Sequence, residues 1–137
     1  MRSLLAGLVC VLMGAAACAN HIPDQDLRIL TATPSAKLPS DDLWSDFQKD
    51  PAGARSRYFG KAIDISGRVV AIDADPAKPP AIFFGKLGEP GVRARLLDER
   101  AADIVKEAAV GARISLRCFC EGLDDKHDVL LKSCIRN

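Results

Sequence analysis

Residues 58–73 constrain the fold more than any other stretch of this chain. After the helix breaker Gly60, β-branched residues alternate with polar and small ones as far as Asp73. A period of two is typical of a strand with one buried face. The alternating apolar residues are Ile63 and Ile65, then Val70 and Ile72 in the opposite phase. Because Gly67 lies where the phase changes and a glycine permits a bulge or sharp coil, the pattern predicts one long, bent strand that serves two sheets.

The first nineteen residues have the three regions of a secretory signal peptide. Arg2 gives a short basic start, an apolar run over residues 4–13 is too short to span a bilayer, and small residues follow. We therefore separate residues 1–19 from the fold. The mature protein is expected on the periplasmic side of a bacterial membrane, where its cysteines meet an oxidising environment.

Two forms of signal cleavage are open. The sequence Ala-Ala-Ala-Cys that ends at Cys18 resembles a bacterial lipobox, which would make Cys18 the lipidated N-terminus of a membrane-anchored lipoprotein. The departure from that motif is Ala15, where leucine is preferred. Ordinary cleavage beside Ala17 or Ala19 would instead give a soluble periplasmic protein.

Two helices are predicted after a proline-rich arm. Residues 20–39 contain three prolines and read as a tether or an irregular arm over the surface, which leaves residues 40–137 as the single domain. Ser40 is the expected N-cap of the first helix. Asp50 is the expected N-cap of the second, with Pro51 at the first helical position, where its missing N–H costs nothing.

An apolar stripe with three aromatic residues runs along these helices. Its large members are Leu43, Trp44, Phe47 and Tyr58. The three rings could form a stacking platform for a ligand. Amphipathic helices more often bury such a stripe, and we expect Tyr58 to anchor the helices to the sheet.

The rest of the chain predicts four further strands and one helix. The strands are expected over residues 81–87, 92–97, 112–120 and 129–135, and the helix, capped by Asp98, over residues 98–109. Five strands with a helix between the third and the fourth are the layout of an oligonucleotide/oligosaccharide-binding (OB) barrel. The expected fold is therefore mainly β, a five-stranded OB barrel preceded by an N-terminal helical segment.

Charge and motifs favour a binding module over an enzyme. Loss of Arg2 with the leader would leave 18 basic and 18 acidic residues, and this balance gives no general reason to bind nucleic acid or anionic lipid. Neither His21 nor His127 lies near a nucleophile in the sequence, and no glycine-rich phosphate loop appears. We therefore predict a non-enzymatic module without cofactor, whose ligand is a protein or another envelope component.

An alternative uses the basic face of the barrel. Arg68, Arg93 and Arg95 lie on predicted strands one and three, and Phe84 would join them if Phe83 and Leu87 point inward. Arginine with an aromatic ring is the chemistry of single-stranded nucleic-acid binding. An anion- or oligonucleotide-binding barrel is thus the second hypothesis, although a solvated face explains the same residues.

The spacing of residues along most of the chain resembles the tRNA_anti-like family of exported OB-fold proteins, which are often lipoproteins. The matching positions in the first half are Leu43, Phe47, Asp50, Ala54, Tyr58, Gly60, Lys61, Ile63, Ile65, Gly67 and Val69, and those in the second half are Gly111, Ile114, Val129, Leu131 and Cys134. The resemblance covers residues 41–135 and implies an OB fold. The chain departs from the family in its third strand, which lacks a cysteine.

Cys118, Cys120 and Cys134 remain once the leader is removed, and two of them should pair in an exported protein. The resemblance implies that Cys134 is one half of a disulfide. We prefer Cys118 as its partner, which leaves Cys120 free. A hairpin centred on a loop over residues 121–128 would place Cys134 opposite Ser115, about 10 Å along the strand from Cys118. The bond therefore requires a shifted register, through a longer loop or a bulge.

Metal binding is the less favoured use of these cysteines. Together with His127 they have the ligand types of a zinc site, but the spacing contains no C-x-x-C pair and the compartment favours oxidation. The acidic residues Asp124, Asp125 and Asp128 lack the glycine and terminal glutamate of a calcium loop. We predict no metal site, and a solvated acidic loop.

Overall fold

The computed structural model describes residues 24–137, so the predicted signal peptide, Cys18 and His21 lie outside the described part. The helices are α1 (Ser40–Lys49), α2 (Pro51–Tyr58) and α3 (Asp98–Glu107), and a 3-10 helix, Leu27–Thr31, precedes them. The strands are β1 (Ala36–Pro39), β2 (Ala62–Arg68), β3 (Ala71–Asp73), β4 (Ala81–Phe84), β5 (Val92–Leu96), β6 (Arg113–Leu123) and β7 (Val129–Arg136). No helix in residues 24–137 combines the length and hydrophobicity needed to cross a membrane.

All of these strands belong to one sheet, in the order β1-β2-β6-β7-β5-β4-β3. The pairs β1–β2 and β5–β7 are parallel and the other neighbours are antiparallel. The mainly β class and the helix between β5 and β6 are confirmed. The five-stranded closed barrel is wrong, because the sheet is open and has seven strands. One extra strand, β1, comes from the arm, and the other arises because the first predicted strand divides into β2 and β3.

The division between β2 and β3 lies at Val69 and Val70. The Val69 N–H donates to the Ala112 carbonyl at 2.8 Å, on the β6 side, and the Val70 N–H donates to the Phe83 carbonyl at 2.9 Å, in β4. Successive residues of one segment therefore bond to opposite parts of the sheet. The predicted bend is present, but it lies two residues beyond Gly67.

Gly67 itself has a regular partner, Ile114 of β6. A Cβ atom at this position would lie 2.4 Å from the Ser40 Oγ and 2.8 Å from a ring carbon of Phe84. The glycine is therefore required for the close approach of α1 and β4 to β2, and the prediction that it forms the bulge is wrong.

The N-terminal arm is docked on the sheet rather than free. Ser133 Oγ accepts a hydrogen bond from the Asp26 N–H at 2.8 Å and donates one to the Asp24 carbonyl at 3.0 Å. Ile29 is fully buried in a small second core, and β1 pairs with β2. Residues 24–39 are thus an irregular surface arm and not a flexible tether, and the packed unit begins before residue 40.

The main core lies between the sheet and helices α1, α2 and α3. Leu43, Phe47 and Tyr58 are buried in it, as expected for the apolar stripe, and the Phe47 and Tyr58 ring centroids are 6.1 Å apart. A platform made of the three aromatic rings is therefore excluded. Trp44 is the exception because it is only half-buried, at the border of this core.

Of the three predicted helix caps, one is confirmed and two are wrong. Asp50 caps α2, since its carboxylate accepts a hydrogen bond from the Gly53 N–H at 3.1 Å, and Pro51 follows in the first turn. Ser40 and Asp98 are instead the first helical residues of α1 and α3, and neither helix has a side-chain cap. Their hydroxyl and carboxylate are thus available for other contacts.

A disulfide joins Cys118 of β6 to Cys134 of β7, with Cα atoms 4.3 Å apart, which is the preferred pairing. The predicted loop was too long: β6 continues to Leu123, so the turn is only five residues. This shift brings the two cysteines opposite each other. The register also slips between Arg117 and Phe119, where Ser133 has a φ of 57°.

Cys120 is buried and free, and burial raises the pKa of its thiol to about 12. A thiol with such a high pKa stays protonated and unreactive near neutral pH. The disulfide uses two of the four side chains in the alternative zinc set. In the described part of the chain, no three histidine, cysteine or acidic side chains are grouped to hold a metal.

Candidate ligand groove

A groove of about 410 Å³ crosses the outer face of β3, β4 and β5. Its side walls are the turn between β4 and β5 and the loop between β6 and β7. The charged and large apolar residues that line it are Ile72, Asp73, Phe83, Leu87, Glu89, Arg93, Lys126 and Asp128. Strand alternation creates this face, because the outward residues Phe83 and Arg93 are direct cross-strand partners whereas Ile82 and Ala94 pair towards the core.

Arg93 is the central group of this groove. Its guanidinium lies over the Phe83 ring, 5.5 Å from the centroid. Nε is 3.5 Å from an Asp128 carboxylate oxygen and Nη1 is 3.7 Å from an Asp73 carboxylate oxygen. The side chain is 30% exposed, so it remains accessible to a ligand, but its charge is already shared by two carboxylates.

Asp128 holds the two walls of the groove together. Its carboxylate is buried and accepts a hydrogen bond from the Gly91 N–H at 2.8 Å. Asp124 in turn accepts hydrogen bonds from the backbone N–H groups of Lys126 and Asp128, each at 2.9 Å. The predicted solvated acidic loop is thus wrong for Asp128, which connects the β6–β7 loop to the β4–β5 turn.

The residues predicted for the ligand face are not brought together as a set. Arg93 lines the groove. Arg95 lies on the same face of β5 but donates to the Pro79 carbonyl at 2.7 Å. Arg68 lies on β2, outside the groove, and donates to the Gly111 carbonyl at 2.9 Å.

The structure does not bring Phe84 to the face that carries Arg93. It is only 2% exposed, in the main core, because its cross-strand partner Val92 is buried there. Phe83 lies on the opposite face of β4, where it lines the groove although only 7% of it is exposed, and Leu87 is 75% exposed rather than inward. Because three consecutive residues of β4 are apolar, the sequence of β4 alone does not show which of them face the core. The alternation of β5 resolves this, since Phe83 pairs with Arg93 and paired residues have their side chains on the same face of the sheet.

The electrostatic character of the groove is mixed. Asp73, Glu89 and Asp128 contribute three carboxylates, against the cations of Arg93 and Lys126. Surfaces that bind nucleic acid through its phosphates are predominantly basic. The geometry is therefore better suited to a ligand with both apolar and polar groups than to a bare phosphate backbone.

A mainly β domain with a groove across three strands, bordered by a turn and a loop, is typical of OB-type binding domains. The profile of the tRNA_anti-like family matches residues 2–135, and the chain belongs to this family. The resemblance inferred from the residue spacing is thereby confirmed.

A solved structure extends this comparison. A proposed nucleic acid-binding lipoprotein of Klebsiella pneumoniae subsp. pneumoniae MGH 78578 has a similar fold, with a TM-score of 0.59, 15% sequence identity, and coverage of 85% of this chain and 99% of that chain. At this identity the likeness establishes the fold alone. No curated protein is significantly similar to the chain.

Proposed function

We propose that the chain is an exported, non-enzymatic binding module of OB type in the cell envelope, and that its groove binds a segment of a protein or another envelope component. The sheet order supports the OB-type interpretation. The strands β2, β6, β7, β5, β4 and β3 follow one another, and β3 is joined to β2 through only two residues. One bent segment therefore contributes to two regions of the sheet, as the first strand of an OB barrel does.

The mixed chemistry of the groove carries the proposal. Leu87 is a highly exposed apolar side chain on its wall, and the Phe83 ring lies beneath the Arg93 guanidinium. Exposed apolar residues in a concave site bordered by polar groups are the usual composition of a binding surface. A polypeptide segment offers both kinds of partner, which is why we favour it as the ligand.

Three observations support a location outside the cytoplasm. The leader has the composition of a signal peptide with a lipobox-like sequence at Cys18, which would supply a membrane anchor. A structural disulfide such as that between Cys118 and Cys134 is typical of an oxidising compartment. The similar Klebsiella protein is also described as a lipoprotein.

Binding of an anion or an oligonucleotide is the second candidate. The Klebsiella protein is a proposed nucleic acid-binding lipoprotein, and an arginine stacked on a phenylalanine is suited to a base or a phosphate. This function requires Arg93 to leave at least one of its two carboxylate partners. We rank it second because the groove holds more carboxylates than cations.

Site-specific photo-crosslinking in the native host tests the proposal. A photoreactive amino acid replaces Leu87, inside the groove, or Val110, which is 67% exposed but outside it. We expect the Leu87 variant to capture a species that the Val110 variant does not. Protease treatment should digest the captured species, as expected for a protein ligand. Nuclease sensitivity would support the second candidate. Equal capture at the two positions would exclude the groove as the binding site.

A further inference from the structure

A second cavity, of about 380 Å³, lies between α1 and the β4–β5 turn. We call it the Trp44 pocket. Trp44, Phe84, Pro90 and Val92 provide its apolar lining. Phe84 and Val92 are almost fully buried and form a fixed floor, whereas the Trp44 ring is half-buried and remains accessible. The pocket can therefore take an apolar chain and present an indole ring to it.

The polar lining of the Trp44 pocket includes two carboxylates that are not engaged in ion pairs within residues 24–137. Asp41 on α1 and Glu89 in the turn supply two carboxylates, and Lys86 supplies one ammonium group. Neither carboxylate forms an ion pair with another residue of the described part. Two acids and one base leave the pocket with a net charge of −1, which favours a cationic ligand.

Ser40 adds a hydrogen-bonding group to this lining. The residue is 5% exposed and lines the Trp44 pocket. Its hydroxyl does not cap α1 and forms no hydrogen bond within residues 24–137, yet it is not an enclosed atom. The hydroxyl oxygen can therefore accept a hydrogen bond from a ligand group that enters the pocket.

From these features we propose that the Trp44 pocket binds a lysine or arginine side chain of a partner protein. The apolar floor matches the methylene stem of such a side chain. Its cationic head would lie against the indole face, within reach of the Asp41 and Glu89 carboxylates and the Ser40 hydroxyl. The inference rests on the proposed function in one respect, namely that the partner is a protein.

The two sites are adjacent across one turn. Glu89 and Pro90 line both the groove and the Trp44 pocket. A polypeptide segment that lies in the groove can therefore cross the β4–β5 turn and insert one side chain into the pocket. The groove would provide the extended contact and the pocket would provide selection for a basic residue.

The only tryptophan of the chain is Trp44, so its fluorescence reports on this pocket alone. The mature protein is titrated with N-acetyl-lysine amide, with N-acetyl-arginine amide and, as an uncharged control, with N-acetyl-norleucine amide. We expect a saturable change in emission with the two cations, weakened by salt, and none with the control. An equal response to norleucine amide, or no response to any probe, would overturn the proposal.

Charge variants make the test specific. Asp41→Asn and Glu89→Gln should each weaken binding of the lysine probe about threefold to fivefold, and Lys86→Gln should strengthen it by a similar factor. Asp42→Asn is the matched control, because Asp42 is in the same helical turn but does not line the pocket. Equal affinities in Asp41→Asn and Asp42→Asn would contradict the assignment. Because free probes are used, the result is independent of capture at Leu87.

Discussion

At the scale of single residues, contact distances decide roles that sequence patterns leave ambiguous. Gly67 lies where the alternation of β2 changes phase, which suggested a bend. The structure instead places the bend at Val69 and Val70, and packs Ser40 and Phe84 against the glycine. A pattern of apolar residues records which face is buried, but it does not record how closely another element approaches the backbone.

The role of Gly67 predicts the effect of the smallest substitution. Gly67→Ala would place a Cβ atom 2.4 Å from the Ser40 Oγ and 2.8 Å from the Phe84 ring. Because Phe84 is fixed in the core, we expect a loss of about 1–3 kcal/mol in the free energy of unfolding, measured by urea denaturation. Gly67→Val should cost more.

A double variant separates packing from backbone effects. Adding Ser40→Gly to Gly67→Ala removes the closer of the two clashes, so part of the lost stability should return. If Gly67→Ala is as stable as the parent protein, close packing is not the role of this glycine.

At the scale of elements, the sequence predicts the type of most strands and helices correctly, because most of them have a clear period or a clear start and stop signal. The sequence does not predict features that depend on pairing between residues far apart in the chain. The arm has no periodicity, yet β1 pairs with β2, and the Ser133 hydroxyl bonds to the backbone of Asp24 and Asp26. Of the four residues predicted for the ligand face, only Arg93 lines the groove, and its outward position follows from the alternation of β5. Asp73 and Asp128 join the site only through the fold.

The β6–β7 hairpin gives a prediction at this scale. The disulfide closes a loop between cysteines 16 residues apart. Cross-linking of about 15 residues contributes about 3 kcal/mol to stability, so the double variant Cys118→Ala/Cys134→Ala should lose stability of this order. Thermal and urea unfolding of the variant and the parent protein measure the difference.

Cysteine labelling provides the control for the hairpin. Burial and the raised pKa of Cys120 should protect it from a maleimide at pH 7 in the folded, oxidised protein. Unfolding without reductant should expose Cys120 alone among the three cysteines of the hairpin, as mapped by mass spectrometry. Labelling of Cys118 or Cys134 under those conditions would contradict the disulfide.

At the scale of the whole molecule, one ion pair connects three parts of the fold. The Arg117 guanidinium on β6 donates to both carboxylate oxygens of Asp64 on β2, at 2.7 and 3.1 Å, and to the Ala32 carbonyl of the arm at 3.2 Å. Asp64 is buried, so its charge depends on this partner. The pair therefore fastens the arm, β2 and β6 at one point.

This connection predicts how stability changes with pH. Arg117 lowers the pKa of the Asp64 carboxyl below its ordinary value of 3.8. A group whose pKa is depressed by folding stabilises the protein above its unfolded pKa, and that contribution is lost as the pH falls through its folded pKa. The parent protein should therefore lose stability below about pH 4.

Asp64→Asn should be less stable at pH 7, by about 1.5–3 kcal/mol, with a shallower loss in acid. Asp125→Asn, in an exposed loop, is the matched control and should follow the parent curve. Parallel curves for Asp64→Asn and the parent would show that the ion pair does not govern acid unfolding.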